Sequence, residues 1–241
     1  MNQYQDGRFF RPVRGVGVAT IVFIWLALAA TLAVPFAVIH AIDVINSSFT
    51  DEAVDNPAVA AAAGEIAVTV LAVAAVYLTA AILYWVWSWR ARGNAEGLAG
   101  RQSQDLSKGW TFWGWICPFV NLWFPCQILL DIHRASDRRQ QRGTGMVIAW
   151  WVCFLGAQVL PGLILGASQR RAAQQVLPGG ITITTTPAQP ADLNQVDLGQ
   201  FTGSGVLALL LGGLLLVTAA VLITRVIRRI SDWQSTPREQ W

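Results

Sequence analysis

Charged residues are scarce in this sequence: Asp, Glu, Lys and Arg supply 13% of its 241 residues, against 54% hydrophobic ones. A soluble domain carries roughly 25% charged residues, so the deficit argues for a membrane protein before any segment is drawn. Histidine and cysteine are scarce too, at two and three. A zinc or iron centre needs three or four converging Cys, His or carboxylate ligands. His40 and His133 fall at opposite membrane faces in the threading below. Cys117, Cys126 and Cys153 form no CxxC pair, and an odd count of this kind reads as free, buried thiols. Cys117, Cys126, Asp131 and His133 are the one local group with ligand chemistry. A disulfide across CPFVNLWFPC is discounted at a reducing inner face. No GxSxG nucleophile elbow and no glycine-rich phosphate loop occurs, and GVG at Gly15 to Gly17 is only the lead-in to an apolar run. These absences leave no catalytic residue, no metal site and no cofactor to assign, and the chain is expected not to be an enzyme.

What is present is apolar length. Five runs lack Asp, Glu, Lys and Arg: Gly15 to Ile42, Ile66 to Trp89, Gly109 to Leu130, Gly143 to Gln169 and Leu198 to Thr224. A membrane-crossing helix needs about 20 apolar residues, since ~30 Å of hydrocarbon is covered at ~1.5 Å per residue. Length therefore allows five spans. The third run, WTFWGWICPFVNLWFPCQILLDI from Trp110 to Ile132, is the unusual one. Pro118 and Pro125 each remove a backbone donor from any helix through them. Broken backbone is tolerated at membrane depth only where protein or a wet cavity satisfies it. Two short helices meeting near Pro118 to Pro125 are expected, with Asn121 supplying polar groups to the opened backbone.

Charge decides how the chain threads. The net charge is +3 and the pI near 9.1, but the basic residues flank apolar runs, where they orient helices and meet anionic lipid. That is not a nucleic-acid pattern. If the central stretch turns back on the cytoplasmic side, 15 of the 17 Lys and Arg lie inside, leaving only Arg170 and Arg171 outside. If it crosses, 9 lie inside and 8 outside. Lys and Arg near span ends favour the cytoplasm, so the first arrangement is expected. Tryptophan agrees, because nine of the twelve lie between Trp85 and Trp151 and would all belong near the inner face.

The resulting expectation is an all-α integral membrane helical bundle. It has four transmembrane helices plus a proline-broken re-entrant or interfacial helical segment on the cytoplasmic side. Residues 1–14 form a cytoplasmic N-terminal segment. The transmembrane domain is 15–230, with spans at about 15–42, 66–89, 146–168 and 205–227 and the re-entrant segment at 110–132. Residues 231–241 are a cytoplasmic tail. Arg90 to Lys108 is expected to form a short surface helix broken at Gly93, Gly97 and Gly100. Trp85, Trp87 and Trp89 sit where indoles favour the interface. Small-residue faces at Ala29, Ala33, Ala37 and Ala41, and at Gly162 and Gly166, allow close helix approach within or between chains. Pro35 would kink the first span, and Gly212-Gly213 is a weak point of the last. Ser168 to Ser204, with ITITTT, is expected to be an irregular loop.

The central residues resemble a known family. Arg92, Asn94, Ala95 and Leu98, then Trp110, then PFVNLWFPCQ and DIHRAS are similar to the bacterial multi-pass proteins of domain-of-unknown-function family 4328. Pro118, Asn121, Leu122, Trp123, Pro125 and Gln127 match that family's P-x-x-N-L-W-x-P-x-Q core, and Ala135 and Ser136 its A-S. His133 stands where an aromatic is expected, and Cys126 at a tyrosine-like position. The resemblance implies a bacterial plasma-membrane protein of several helices and brings no activity.

Candidate functional positions are therefore Arg92, Asn94, Trp110, Pro118, Asn121, Trp123, Pro125 and Gln127. Arg134, Arg138, Arg139, Arg142, Arg225, Arg228 and Arg229 would form a basic inner rim in reach of anionic lipid headgroups. Partners are the bilayer, a protein partner or a second copy. Depth-polar residues are neutral, as at Thr31, Thr69, Thr79, Gln158 and Thr218, which disfavours an ion-coupled carrier. The expected role is a membrane interaction or regulatory module with a Trp/Arg-rich inner platform. A channel or carrier for a neutral or amphiphilic solute is the alternative, and a lipid-modifying enzyme using Asp131 or His133 a further one.

Overall fold

The computed structural model describes residues 11–48, 56–137, 143–176 and 198–235. Its elements are α1 (Arg14–Ser48), α2 (Asn56–Ala99), α3 (Trp110–Ile116), α4 (Phe124–Ser136), α5 (Gly145–Val176) and α6 (Leu198–Ser235). Two 3-10 turns join them, Arg101–Ser103 and Val120–Leu122. No strand occurs among the described residues, and ITITTT lies outside them. The fold is an all-helical membrane bundle.

Four helices are long and apolar enough to cross a membrane: Arg14–Val44, Ala60–Ala99, Gly145–Arg170 and Gly203–Ser235. Each runs past the span drawn from sequence, because a helix need not stop where its apolar run stops. The last carries regular helix to Ser235, into the expected tail. Phe36, Val68, Leu71, Val152 and Leu210 all stand exposed on these helices. A water-facing helix would not spread apolar side chains this way, and a lipid-facing one does. The proline-broken stretch forms no fifth helix of spanning length. α3 has 7 residues and α4 has 13, so at ~1.5 Å per residue each falls short of a ~30 Å core.

The chain divides into two compact units, Met1–Trp151 with Ala220–Trp241, and Val152–Ala219. In the first, α1 and α2 run antiparallel. The Gly17 backbone meets Trp87 near their basic end, Thr31 meets Tyr77 in the middle, and His40 lies 3.9 Å from Glu65 at the other end. The C-terminal part of α6 packs beside α1. Trp25 Nε1 donates to Thr224 Oγ1 at 3.2 Å. A Cβ on Gly17 would come within 2.9 Å of Ser231 Oγ and 3.2 Å of Ile227 Cγ2. Gly17 is the close-approach glycine of this unit. The alanine stripe is split: Ala29 and Ala33 are exposed, Ala37 is half-buried and Ala41 is buried, while Ile21, Ala27 and Leu28 are buried nearer the basic end. Pro35 is taken up inside α1.

In the second unit a Cβ on Gly212 would meet the Pro161 ring at 2.9 Å, and one on Gly156 would meet Leu215 at 3.3 Å. Gly212 is thus a packing position for Pro161 rather than a weak point. Gly162 and Gly166 face open space within the chain.

α2 corrects a further expectation. It passes through Gly93 and Gly97 without a break and ends at Ala99. Two interior glycines cost about 1 kcal/mol each relative to alanine. That cost is offset because Ala91, Arg92, Asn94 and Ala95 are all buried by other elements. The stop comes at Gly100, whose φ of 84° suits glycine.

Candidate functional site

Arg92 and Asn94, beyond the apolar run of α2, do not face water. Asn94 is buried, and its side-chain amide pairs with the backbone of Arg11. Oδ1 accepts from the Arg11 N–H at 2.9 Å, and Nδ2 donates to the Arg11 carbonyl at 2.9 Å and to Gln234 Oε1 at 3.1 Å. Gln234 Nε2 in turn donates to the Ala91 carbonyl at 3.0 Å and to Ser136 Oγ at 2.8 Å. Ser136 closes the chain by donating to the Ile132 carbonyl at 2.7 Å. One linked network therefore ties the N-terminal segment, α2, α4 and α6 together. Buried amides and hydroxyls that are mutually satisfied specify one packing, since any other leaves them costly and unpaired.

Beside it Trp87, fully buried, donates from Nε1 to Ser231 Oγ at 3.1 Å. It is not an interfacial indole. Its place on the inner side of α2 sets it apart from Trp85 and Trp89, which keep some exposure.

Arg92 is buried as well, and it anchors the connection that follows α2. Its Nε donates to Glu96 Oε1 at 3.2 Å, and Nη2 donates to the Leu106 carbonyl. Asp131 on α4 receives the same connection from the other side. Its Oδ2 accepts from the Asp105 N–H at 3.2 Å, and Gln127 Nε2 donates to Asp105 Oδ2 at 3.4 Å. Burial pushes the Asp131 carboxyl above the usual carboxylate range, and the Asp105 N–H bond pulls against that shift. Arg134, 4.0 Å away and exposed, is a loose partner.

The fold-back between α3 and α4 is built on aromatic contacts. Trp85 packs edge-on to Phe112 at 4.7 Å, Tyr84 to Trp115 at 5.5 Å, Trp115 to Trp151 at 5.8 Å and Trp110 to Phe124 at 4.9 Å. Such edge-to-face pairs add about 0.5–1.5 kcal/mol each beyond area burial. Pro125 is buried at the start of α4, where a missing N–H removes no helix bond. Pro118 is exposed, and the Val120 N–H reaches back to its carbonyl at 2.9 Å across Phe119. Phe119 has φ 66° and ψ −57°, a three-residue turn that is rare and strained for any residue with a side chain. The opened backbone is satisfied by Trp151, whose Nε1 donates to the Leu122 carbonyl at 2.7 Å. Asn121, the sequence candidate for that task, is half-buried and makes no side-chain hydrogen bond among the described residues.

The structure thus brings Arg92, Asn94, Pro125 and Gln127 into the packed end of the chain. Trp110 packs between them and the fold-back. Pro118, Asn121 and Trp123 lie at its tip. Trp113, Ile116, Phe119, Leu122 and Trp123 turn outward there, Phe119 by 79% of its surface. Arg225 and Arg228 are exposed and Arg229 is half-buried. Arg138, Arg139 and Arg142 lie outside the described residues. Cys117, Cys126 and Cys153 are free thiols, and burial raises the Cys126 pKa. Among the described residues no three His, Cys, Asp or Glu side chains converge.

A family model for the domain of unknown function DUF4328 matches residues 50–232. The chain belongs to this family. No curated protein and no solved structure matches the chain. Within this DUF4328 chain, the motif has an architectural meaning: Arg92 and Asn94 with Gln127 and Ser136 hold the elements that the fold-back rests on. The residues that sequence reasoning missed are Arg11, Trp87, Ser231 and Gln234. One signal for the last two was available. Ile227, Ile230, Ser231 and Gln234 follow a helical repeat and are all buried, so the packed face of α6 continues past its apolar run with polar residues in it.

Proposed function

We propose that this protein is a non-enzymatic interaction module of a bacterial plasma membrane, with both termini in the cytoplasm. Its α3–α4 fold-back would present an aromatic and cationic platform to the inner lipid surface and to a membrane partner. The observation that carries this reading is a division of labour among side chains. Asn94, Ser136 and Gln234 spend their hydrogen bonds on one another and on backbone, and Arg92 donates to Glu96 and to the Leu106 carbonyl, while Trp113, Phe119 and Trp123 are turned outward. A catalytic centre would have the reverse, polar groups converging on open space. Fifteen of 17 Lys and Arg on one side of a four-span threading support cytoplasmic termini.

Two experiments test it. In a background without the three native cysteines, single cysteines at Ser107, Ser168 and Ser235 are challenged with an impermeant thiol reagent on intact cells. Labelling only at Ser168 is expected; labelling at Ser107 would reverse the orientation, and labelling at Ser235 but not at Ser107 or Ser168 would mean that the segment 110–132 crosses. A photo-crosslinker placed at Trp113 or Trp123 should then recover lipid or one protein partner from native membranes. Recovery of neither, with solute flux in liposomes that is lost on Asn121→Leu, would replace the platform by a channel.

A further inference from the structure

The N-terminal segment is held in place by three hydrogen bonds that bring two arginines to one groove. Asn94 fixes both backbone polar groups of Arg11, and Arg90 donates from Nη1 to the Pro12 carbonyl at 3.2 Å. Arg11 and Arg90 then line one groove of about 380 Å³ together with Trp85, Trp89, Phe112 and Thr111. Among the described residues no carboxylate lines it, and neither arginine has an ion-pair partner there. Two like charges brought together without a counter-charge repel each other, and an anion between them would relieve that repulsion. Thr111 is 1% exposed, and its hydroxyl has no hydrogen-bond partner among the described residues. A buried hydroxyl left so is costly and calls for an acceptor. The remaining walls are apolar, Val86 and the three aromatic rings. Trp89 already takes a cation, with Lys108 Nζ 4.7 Å from its ring, so the groove's electrostatics stay positive throughout.

We infer that this groove binds the phosphate of an anionic amphiphile. Arg11 and Arg90 hold the phosphate oxygens through charge-assisted hydrogen bonds, and Thr111 donates its hydroxyl to one of them. Trp85, Trp89 and Phe112 receive the glycerol and the upper acyl chain, as aromatic side chains do at the headgroup level. The inference rests on the reading that this end of the chain meets the membrane surface. It adds a defined site, distinct from the basic rim at Arg134, Arg225 and Arg228.

The test uses the full chain purified in a neutral detergent. It is titrated with dihexanoyl phosphatidylglycerol, with dihexanoyl phosphatidylcholine and with glycerol phosphate, and bound ligand is read by native mass spectrometry. Saturable binding of phosphatidylglycerol is expected, weakened roughly tenfold or more by Arg11→Gln or Arg90→Gln and unchanged by Arg225→Gln. Equal binding of phosphatidylcholine would overturn the inference, as would phosphatidylglycerol binding that survives both substitutions together. Equal binding of glycerol phosphate would overturn the amphiphile and make the ligand a soluble phosphate. Loss only in Arg225→Gln would sink the groove and leave the platform standing. Thr111→Val removes no protein hydrogen bond and keeps the fold. If the arginine variants unfold, undiminished binding in Thr111→Val overturns the site.

Discussion

The side-chain amide of Asn94 meets the backbone of Arg11 as a strand neighbour would, accepting from its N–H and donating to its carbonyl, both at 2.9 Å. Asparagine alone among the side chains of this size offers a donor and an acceptor side by side. Asn94→Asp replaces the donor by a second acceptor, facing the Arg11 carbonyl and Gln234 Oε1. A loss of roughly 2–3 kcal/mol is expected. Thermal unfolding in detergent measures it, and limited proteolysis should show the N-terminal segment released first.

Gly17 sits where a Cβ would stand 2.9 Å from Ser231 Oγ. The hydroxyl cannot swing away freely, because it accepts the Trp87 indole N–H at 3.1 Å. Gly17→Ala should cost about 1–3 kcal/mol by overpacking. The same change in a Ser231→Ala background should cost less, since the clashing oxygen is gone. A double-mutant cycle in unfolding midpoints reads that difference, and additive losses would argue against the contact.

Phe119 holds a positive φ with 79% of its surface exposed. Conformations of this kind cost roughly 1–3 kcal/mol, against ~1 kcal/mol for the added freedom glycine gives an unfolded chain. Stability is expected to rank Phe119→Gly at or above the parent and Phe119→Val clearly below it, since a β-branched residue tolerates this backbone least. The opposite ranking in thermal melts would show that the turn is not the strained element.

His133 is 1% exposed, packs edge-on against Trp233 at 5.1 Å, and has no hydrogen-bond partner for either ring nitrogen among the described residues. Burial lowers its pKa below 6.5; Asp137 on its own side opposes this, and Arg229 of α6 and Arg134 add to it. In the window below 6.5 the unfolded chain binds the proton that the folded chain refuses, so stability falls as pH falls through that window. Asp131 acts with the opposite sign. Its folded pKa is raised above 3.8, so its contribution is lost as pH rises through its own window. Unfolding midpoints of the parent should drop between about pH 7.5 and about pH 5, and His133→Phe should flatten that drop. An unchanged slope in the variant would assign the effect to other groups.

Much of the architecture was written in runs and charges. Uncharged length allowed five spans, paired prolines set the segment from Trp110 to Ile132 apart, and the distribution of arginine favoured four crossings over five. These are local properties, each decided by what a residue costs in hydrocarbon or in a helix, and they can be read one segment at a time. The end of α2 was not legible in that way. Gly93 and Gly97 signal a break, yet the helix continues because Arg92, Asn94 and Ala95 are buried by elements far along the chain. Asn94 finds its partners 83 and 140 positions away, and Trp87 finds Ser231 at a separation of 144. The sequence alone determined which segments are long and apolar enough to enter a membrane. Only the tertiary structure decided which polar residues at that end became the lock and which aromatics were left facing outward. Burial of a polar group is favourable only when its partner arrives, and that partner comes from another helix.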